Sequence, residues 1–330
     1  MTQSAFNAAS RYGGSVELAA YYQQMCTIRR FEEEAMALVQ SREIAGSVHL
    51  CIGQEAIPVG ACAALEAGDA VIGTYRGHGW AIARGVPLAE LFAEMLGRAS
   101  ALNAGRGGSP YLMAPRYGFL GENSIVGAGL PMAAGAALAR KLQGGRAVAV
   151  VSIGDGAMNQ GAVHETLNMA AVLGLPLLLV VENNGYAEMT PATALTAVPA
   201  HERAAAYGLR GELVDGNDPA AVAQAVRALR ADVLATGRPA LLEAMTHRLV
   251  GHYSGDAQAY RPPGELAAAR QADPITRLAA LISETEADGT VAAADEAARA
   301  DVLAALDLAR SVPFPDPADA TNGIYAEELR

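Results

Sequence analysis

Cysteine is scarce in this 330-residue chain: Cys26, Cys51 and Cys62 are the only three, and no two form a Cys-x-x-Cys pair. An odd count in a large apolar chain gives no reason to invoke a disulfide framework and points to a reducing cytoplasm. Aromatic residues make up only 5%, and lysine is almost missing, so arginine carries nearly all the positive charge. With 24 Lys and Arg against 35 Asp and Glu, the net charge is −11. That lacks the basic excess of a nucleic-acid binder, and contacts with polyanions are expected to be local. No charge-free run is long enough for a membrane span, and the opening residues MTQSAFNAASRYGG lack the basic-then-apolar order of a secretory leader, so none is expected. At 52% hydrophobic residues, the chain is too apolar to be disordered.

Glycine and alanine are abundant instead. There are 35 glycines, above the usual level of about 7%. They cluster, which predicts close approach of backbones at particular places.

The order of elements reads as α/β. After a flexible arm over residues 1–15, apolar residues from Leu18 to Val39 recur at helical spacing, predicting a helix over 16–40. A second helix begins near Glu55 or Ala56, with Pro58 in its first turn. The short strand DAVIGTY delivers Tyr75, Arg76, Gly77 and His78, and a helix follows over Leu88 to Leu96. Residues 97–124 are too long and turn-rich for an ordinary connection, and such loops carry sites. A helix starting at about Leu130 carries the bare face Gly129, Ala133 and Ala137, a candidate for tight contact with another subunit or for packing within the chain.

Two continuously apolar strands then flank a helix, as in a buried parallel sheet with a right-handed crossover. A later unit repeats this, with Val214 to Asp218 after a short strand, a helix from Pro219 to Thr236 and a strand from Pro239 to Thr246. The α/β domain is expected to span 16–250, followed by a mobile polar loop over 251–262 and a C-terminal helical extension over 263–330 packed on the same domain.

Gly154-Asp155-Gly156 follows one strand of the pair and Asn183-Asn184 the next. In a parallel sheet both tips emerge at the same carboxyl edge and converge on one ligand. Carboxylate and amide oxygens suit Mg²⁺ or Ca²⁺, with a diphosphate supplying further ligands. The plainer alternative is that Asp155 caps the following helix and the asparagines occupy a turn. Tyr75, Arg76, His78, His247, Arg248 and His252 lie near other strand ends, the cationic and titratable supply that a phosphate site needs.

The motifs HLCIGQEAIPVG, TYRGHG, GRGGS, IVGAGLP, GDGAMNQG, HETLNMA, LPLLLVVENNGYAEMT and GHYSGDAQAYR occur in one order. Over about residues 20–310 the chain thereby resembles the alpha subunit of the thiamine-diphosphate-dependent dehydrogenases that form the first component of acetoin and 2-oxo acid dehydrogenase complexes. The resemblance implies the thiamine-diphosphate-binding fold, with thiamine diphosphate and Mg²⁺ as cofactors. It assigns Asp155, the side chain of Asn184 and the backbone carbonyl of Tyr186 to the metal. Tyr75, Arg76 and Arg248 would bind diphosphate, with Gly154, Gly156 and His252 beside it, and the Val126 backbone would hold the aminopyrimidine. His252 and His78 would be the active-site histidines, with His49 close by.

The same resemblance implies a beta subunit in an α2β2 heterotetramer, which supplies the glutamate that activates the coenzyme, and a lipoyl-bearing acyltransferase as acceptor. NNGYAEMT and GHYSGDAQAYR resemble the acetoin branch. Tyr253 stands where the pyruvate branch tends to carry a phosphorylatable serine. Cleavage of acetoin, with transfer of the two-carbon unit to lipoamide or an artificial acceptor, is therefore expected. Oxidative decarboxylation of pyruvate or another 2-oxo acid is the alternative. Three positions depart from the family pattern: Tyr111 replaces a frequent histidine, while Glu122 and Ser124 fall where small residues are usual. Glu122 is expected either to face solvent or to mark a changed pocket. Two other classes remain open at this point: a nucleotide- or sugar-phosphate enzyme using the GDG edge alone, and a non-catalytic structural subunit.

Overall fold

The computed structural model describes residues 15–285 and 289–322. The expected N-terminal arm thus lies, save for Ser15, outside the described residues, as does the end of the C-terminal extension.

Six strands form one parallel sheet: β1 (Ala70–Ile72), β2 (Phe119–Gly121), β3 (Ala149–Gly154), β4 (Leu177–Asn183), β7 (Arg210–Asp215) and β8 (Ala240–Met245). Their order is β2-β1-β3-β4-β8-β7. A small antiparallel hairpin, β5 (Tyr186–Ala187) and β6 (Thr190–Pro191), follows β4. Pairing of Gly154 with Glu182 fixes the register of β3 on β4 and brings the GDG and ENN tips level.

The central strands are mainly apolar because both sheet faces are covered. Alternate residues serve opposite layers: Val150, Leu178 and Val180 join one core, and Val151, Leu179 and Val181 the other. On the first face lie the helices Ser15–Gln40, Ala56–Ala63 and Pro219–Thr236. Helices Gly129–Leu142 and Gly161–Leu173 cover the second.

The bare face of Gly129, Ala133 and Ala137 is buried in that second layer, and a Cβ on Gly129 would stand 3.4 Å from Ile72 and Val151. This corrects its reading as a candidate subunit contact: small residues are needed here because the helix lies close on β1 and β3. Residues 97–124 contain β2, which the sequence pattern missed. Three residues are too few to show a period. The preceding glycine-rich loop is organised by the buried Glu94, whose carboxylate accepts the N–H groups of Asn103, Gly105 and Gly107.

Beyond β8 and the short helix Glu265–Gln271, helices Pro274–Thr285 and Thr290–Ser311 fold back along Ser15–Gln40. Arg29 bridges Glu55 and Asp273, Arg30 pairs with Asp295, and Arg310 with Glu43. Among the described residues no helix is long and apolar enough to cross a membrane.

Candidate active site

The chain leaves β1 toward β2 on one side of the sheet, whereas it leaves β3 toward β4 on the other. Loops that diverge in this way open a crevice at the carboxyl ends of the strands. A cleft of about 430 Å³ occupies that position. Gly73 to Arg76 after β1, Val126 after β2, Gly154 to Ala157 at the end of β3, Asn184 and Tyr186 to Glu188 after β4, and Arg248 and His252 after β8 all line it.

Asp155 sits at the head of the short helical turn Gly156–Asn159, yet its side chain makes no capping hydrogen bond. The helix-cap reading is therefore excluded. Its Oδ2 is buried without a partner. Burial pushes its carboxyl up to about 6, against the pull of the Arg248 charge and of nearby backbone N–H groups. The two asparagines do form turns, with Asn183 Oδ1 accepting from Gly185 N and Asn184 Oδ1 from Tyr186 N. Only Asn184 reaches the cleft; Asn183 is tied to Glu243 at 2.7 Å.

The two glycines of the GDG tip differ. A Cβ on Gly156 would lie 2.5 Å from the Ala187 Cβ, so the β5 hairpin demands glycine there. Nothing approaches the corresponding position on Gly154, which faces open space in the cleft.

Arg76 and Arg248 are both buried. Arg76 donates to the carbonyls of Leu50 and His252 at 2.6 and 2.9 Å. Arg248 donates to the Glu188 carbonyl, the Tyr260 hydroxyl and His252 Nδ1, while its Nε has no partner. All these partners are neutral. Burial, together for Arg248 with repulsion from Arg76, lowers both guanidinium pKa values. Two uncompensated cations in one crevice are an electrostatic cost that an anion removes.

Because a guanidinium can only donate, the 3.0 Å contact makes His252 Nδ1 the acceptor, and the ring proton resides on Nε2. Burial, then Arg76 and Arg248, hold His252 down to about 3. His49, whose ring lies 5.1 Å from that of His252 and 4.5 Å from that of Tyr75, is held down to about 4 by burial and Arg76. Both are neutral near pH 7. A neutral buried histidine that must charge in acid contributes stability fully present above pH 6.5 and lost as pH falls toward its folded value. The His49→Asn/His252→Asn variant is thus expected to lose less stability than the parent between pH 7 and 5, by about 1 kcal/mol per histidine after solvent screening. Thermal unfolding across that range checks this, and parallel curves for the two proteins would sink it.

His49, His78 and His247 are not among the cleft-lining residues. His78 is fully buried with both ring nitrogens engaged, Nδ1 at 2.8 Å from Glu32 and Nε2 at 2.9 Å from Ser109.

With this geometry in view, comparison with known proteins is specific. Residues 23–318 match the family described as "Dehydrogenase E1 component". The chain belongs to that family. Among relatives of this E1 chain, the alpha subunit of acetoin:2,6-dichlorophenolindophenol oxidoreductase from Bacillus subtilis is 39% identical over 309 residues, covering 92% of each chain. Its counterpart from Cupriavidus necator is 39% identical over 316 residues, covering 93% of this chain and 94% of that one. The pyruvate dehydrogenase E1 component subunit alpha of Zymomonas mobilis is 40% identical over 309 residues, covering 91% and 86%.

Within this E1 chain the three departures fall into two places. Glu122 is buried, which corrects the expectation that it faces solvent. Its carboxyl packs against Gly77, neither oxygen makes a well-formed hydrogen bond, and burial raises it well above the carboxylate range. Tyr111 and Ser124 hydrogen-bond each other at 2.5 Å beside the cleft-lining Asn123 and Ile125.

Sequence reading missed several E1 residues that shape the site. Gln54 and Glu182 both line the cleft. A carboxylate ending the apolar run LLLVVE was a signal for the second, because a buried charge requires partners. Asp256 organises the loop after β8: it accepts from His252 N at 2.6 Å, Gln258 N at 2.7 Å and the Tyr260 hydroxyl at 2.8 Å. The loop expected to be mobile is thus internally hydrogen-bonded, and Ser254 N ties it to Val48 O.

Proposed function

We propose that this chain is the alpha subunit of a thiamine-diphosphate-dependent dehydrogenase that cleaves acetoin and passes the two-carbon unit to lipoamide or an artificial acceptor. Membership of the E1 family implies thiamine diphosphate. The observation that carries the reading is the pairing, in one crevice, of an unpartnered carboxylate oxygen on Asp155 with two cations that lack carboxylate partners. A diphosphate with a divalent cation satisfies both ends at once. Among the described residues no three His, Cys, Asp or Glu side chains group as metal ligands. A hard cation such as Mg²⁺ needs no such group, since phosphate oxygens complete its shell.

In this reading Asp155, the Asn184 side chain and the Tyr186 carbonyl hold Mg²⁺. Arg76, Arg248 and Tyr75 bind diphosphate oxygens, and Gly154 leaves room for them. The Val126 backbone lies beside the aminopyrimidine. When bound, thiamine diphosphate supplies a nucleophilic carbon that attacks a carbonyl and takes up the electrons of the carbon–carbon bond that breaks. His252, neutral and protonated at Nε2, donates a hydrogen bond to the substrate oxygen, and His49 borders it. His78 acts from behind the cleft, holding Ser109 of the glycine-rich loop. A beta subunit completes the site in an α2β2 assembly, and a lipoyl-bearing acyltransferase receives the product. The three cysteines are free and buried, as suits a cytoplasmic enzyme.

The test is activity of this chain co-expressed with its beta subunit, followed by reduction of 2,6-dichlorophenolindophenol. Acetoin is expected to give a kcat/KM at least about tenfold above pyruvate or branched 2-oxo acids, a difference of about 1.4 kcal/mol in transition-state stabilisation. Preference for pyruvate would replace acetoin with decarboxylation while leaving the family intact. Full activity of this chain alone would overturn the shared site.

A further inference from the structure

We propose that Glu182 and Gln54 are positioning residues that orient the Asn184 amide so that its oxygen, and not its nitrogen, is presented to the divalent cation. This inference rests on the cation reading above.

The chain of hydrogen bonds starts from a group with no choice. Trp80 Nε1–H can only donate, and it donates to Glu182 Oε1 at 2.7 Å. Ser152 Oγ also bonds to that oxygen. Glu182 Oε2 accepts from Gln54 Nε2 at 2.8 Å. With its nitrogen committed, Gln54 has only its oxygen for Asn184, and Oε1 accepts from Asn184 Nδ2 at 3.0 Å. The nitrogen of Asn184 is thereby turned toward Gln54, and its oxygen, which accepts from Tyr186 N at 3.2 Å, keeps a second lone pair for a further partner. Trp80, Ser152, Gln54 and Glu182 are all buried, so water is poorly placed to relax an inverted amide.

The two ends of an asparagine amide are nearly identical in shape and opposite in chemistry. Packing alone does not tell them apart, and an amide NH₂ is no ligand for a hard cation. Orientation must come from the hydrogen-bond polarity behind the ligand, as it does around other metal sites. Here that polarity reaches the nitrogen end through a buried side-chain line, from an indole N–H through a carboxylate and one amide to the next, while the Tyr186 N–H meets the oxygen end. Proximity to the site does not by itself assign Glu182 this role, because Asp155 lies outside the line.

The same logic supplies the test. Glu182→Gln keeps the volume but places an NH₂ toward Gln54, which inverts Gln54 and turns its NH₂ on Asn184, so that Asn184 must either invert against the Tyr186 N–H or lose its partner. Gln54→Glu sets two carboxyl groups face to face. Combined as E182Q/Q54E, the pair regains a hydrogen bond between the two positions, now donated by residue 182 to residue 54, and restores an acceptor facing Asn184 Nδ2, with the total charge unchanged.

Each variant is co-expressed with the beta subunit, and thiamine diphosphate binding is measured by calorimetry over a Mg²⁺ series. We expect each single variant to need at least about tenfold more Mg²⁺ for half-saturation, and the double variant to return to within about threefold of the parent. A folded E182Q with unchanged Mg²⁺ dependence overturns the proposal, as does a folded double variant that stays as weak as the singles. If the single variants do not fold, the double variant decides alone. It keeps every hydrogen bond, so its failure to fold also counts against the relay. Asp155→Asn is the control: if it leaves Mg²⁺ dependence intact, the cation reading itself fails. If it abolishes binding while E182Q changes nothing, the relay fails and the cation site stands.

Discussion

Replacing Asp155 with asparagine is expected to weaken Mg²⁺-dependent binding of thiamine diphosphate by at least about a hundredfold, the loss that follows when a hard cation forfeits its only charged protein ligand. The apo chain is expected to gain stability from the same substitution. Burial holds this carboxyl up to about 6, against an ordinary value of 3.8. Between those values the folded chain binds more protons than the unfolded chain. Its ionised form therefore costs the fold nothing below pH 3.8 and its full penalty above pH 6. At pH 7 the neutral amide removes that penalty, worth about 2 kcal/mol after allowance for partial hydration. Calorimetry with and without Mg²⁺, beside thermal unfolding of the apo chain, reads both effects. Unchanged coenzyme affinity would remove Asp155 from the site. A large drop in apo melting temperature would show that its carboxylate has a structural partner.

Arg248→Met is expected to divide stability from function in the same sense. The side chain is buried, its oxygen and nitrogen partners are neutral, and repulsion from Arg76 adds to the cost of its charge. Methionine fills a similar volume without charge. The apo variant should melt no lower than the parent, while affinity for the diphosphate falls at least about a hundredfold, as a buried charge-assisted contact of about 3 kcal/mol is lost. Thiamine monophosphate and inorganic diphosphate serve as probes in the same titration. If the variant binds inorganic diphosphate as well as the parent does, Arg248 does not contact that group. If the apo chain instead loses several degrees, the bonds to the Glu188 carbonyl and Tyr260 outweigh the unpaired charge.

Both expectations concern residues legible from local sequence. The glycines around Asp155, the apolar run before it and the matching run before Asn184 mark strand tips without any knowledge of the sheet. The structure agrees closely along this stretch, with β4 at Leu177–Asn183 and the later helix at Pro219–Thr236. Strand β2 escaped notice because three residues at a sheet edge carry no period, and the fold there is set by pairing with β1. Of the two expectations for Glu122, the solvent-facing one fails because a charged residue in a glycine-rich loop has no local sign of burial. Its burial depends in part on the close approach of Gly77, where a Cβ would stand 2.7 Å from the carboxyl. The bare helix face was legible as a close contact, yet whether sheet or subunit lay against it depended on the stacking of layers.

By itself, the amino-acid sequence determined the α/β order, the strand-tip positions of Asp155 and Asn184, the supply of arginine and histidine, and the family. These are short-range properties: strand period, turn chemistry and residue type act within a few positions along the chain. Tertiary structure alone decided that Arg76 and Arg248 face one crevice without carboxylate partners, that His252 carries its proton on Nε2, and that Glu182 reaches Asn184 through Gln54. Those relations join residues as much as 172 positions apart, such as Arg76 and Arg248. They depend on strand order and on which polar groups burial leaves to find each other, and no local pattern records either.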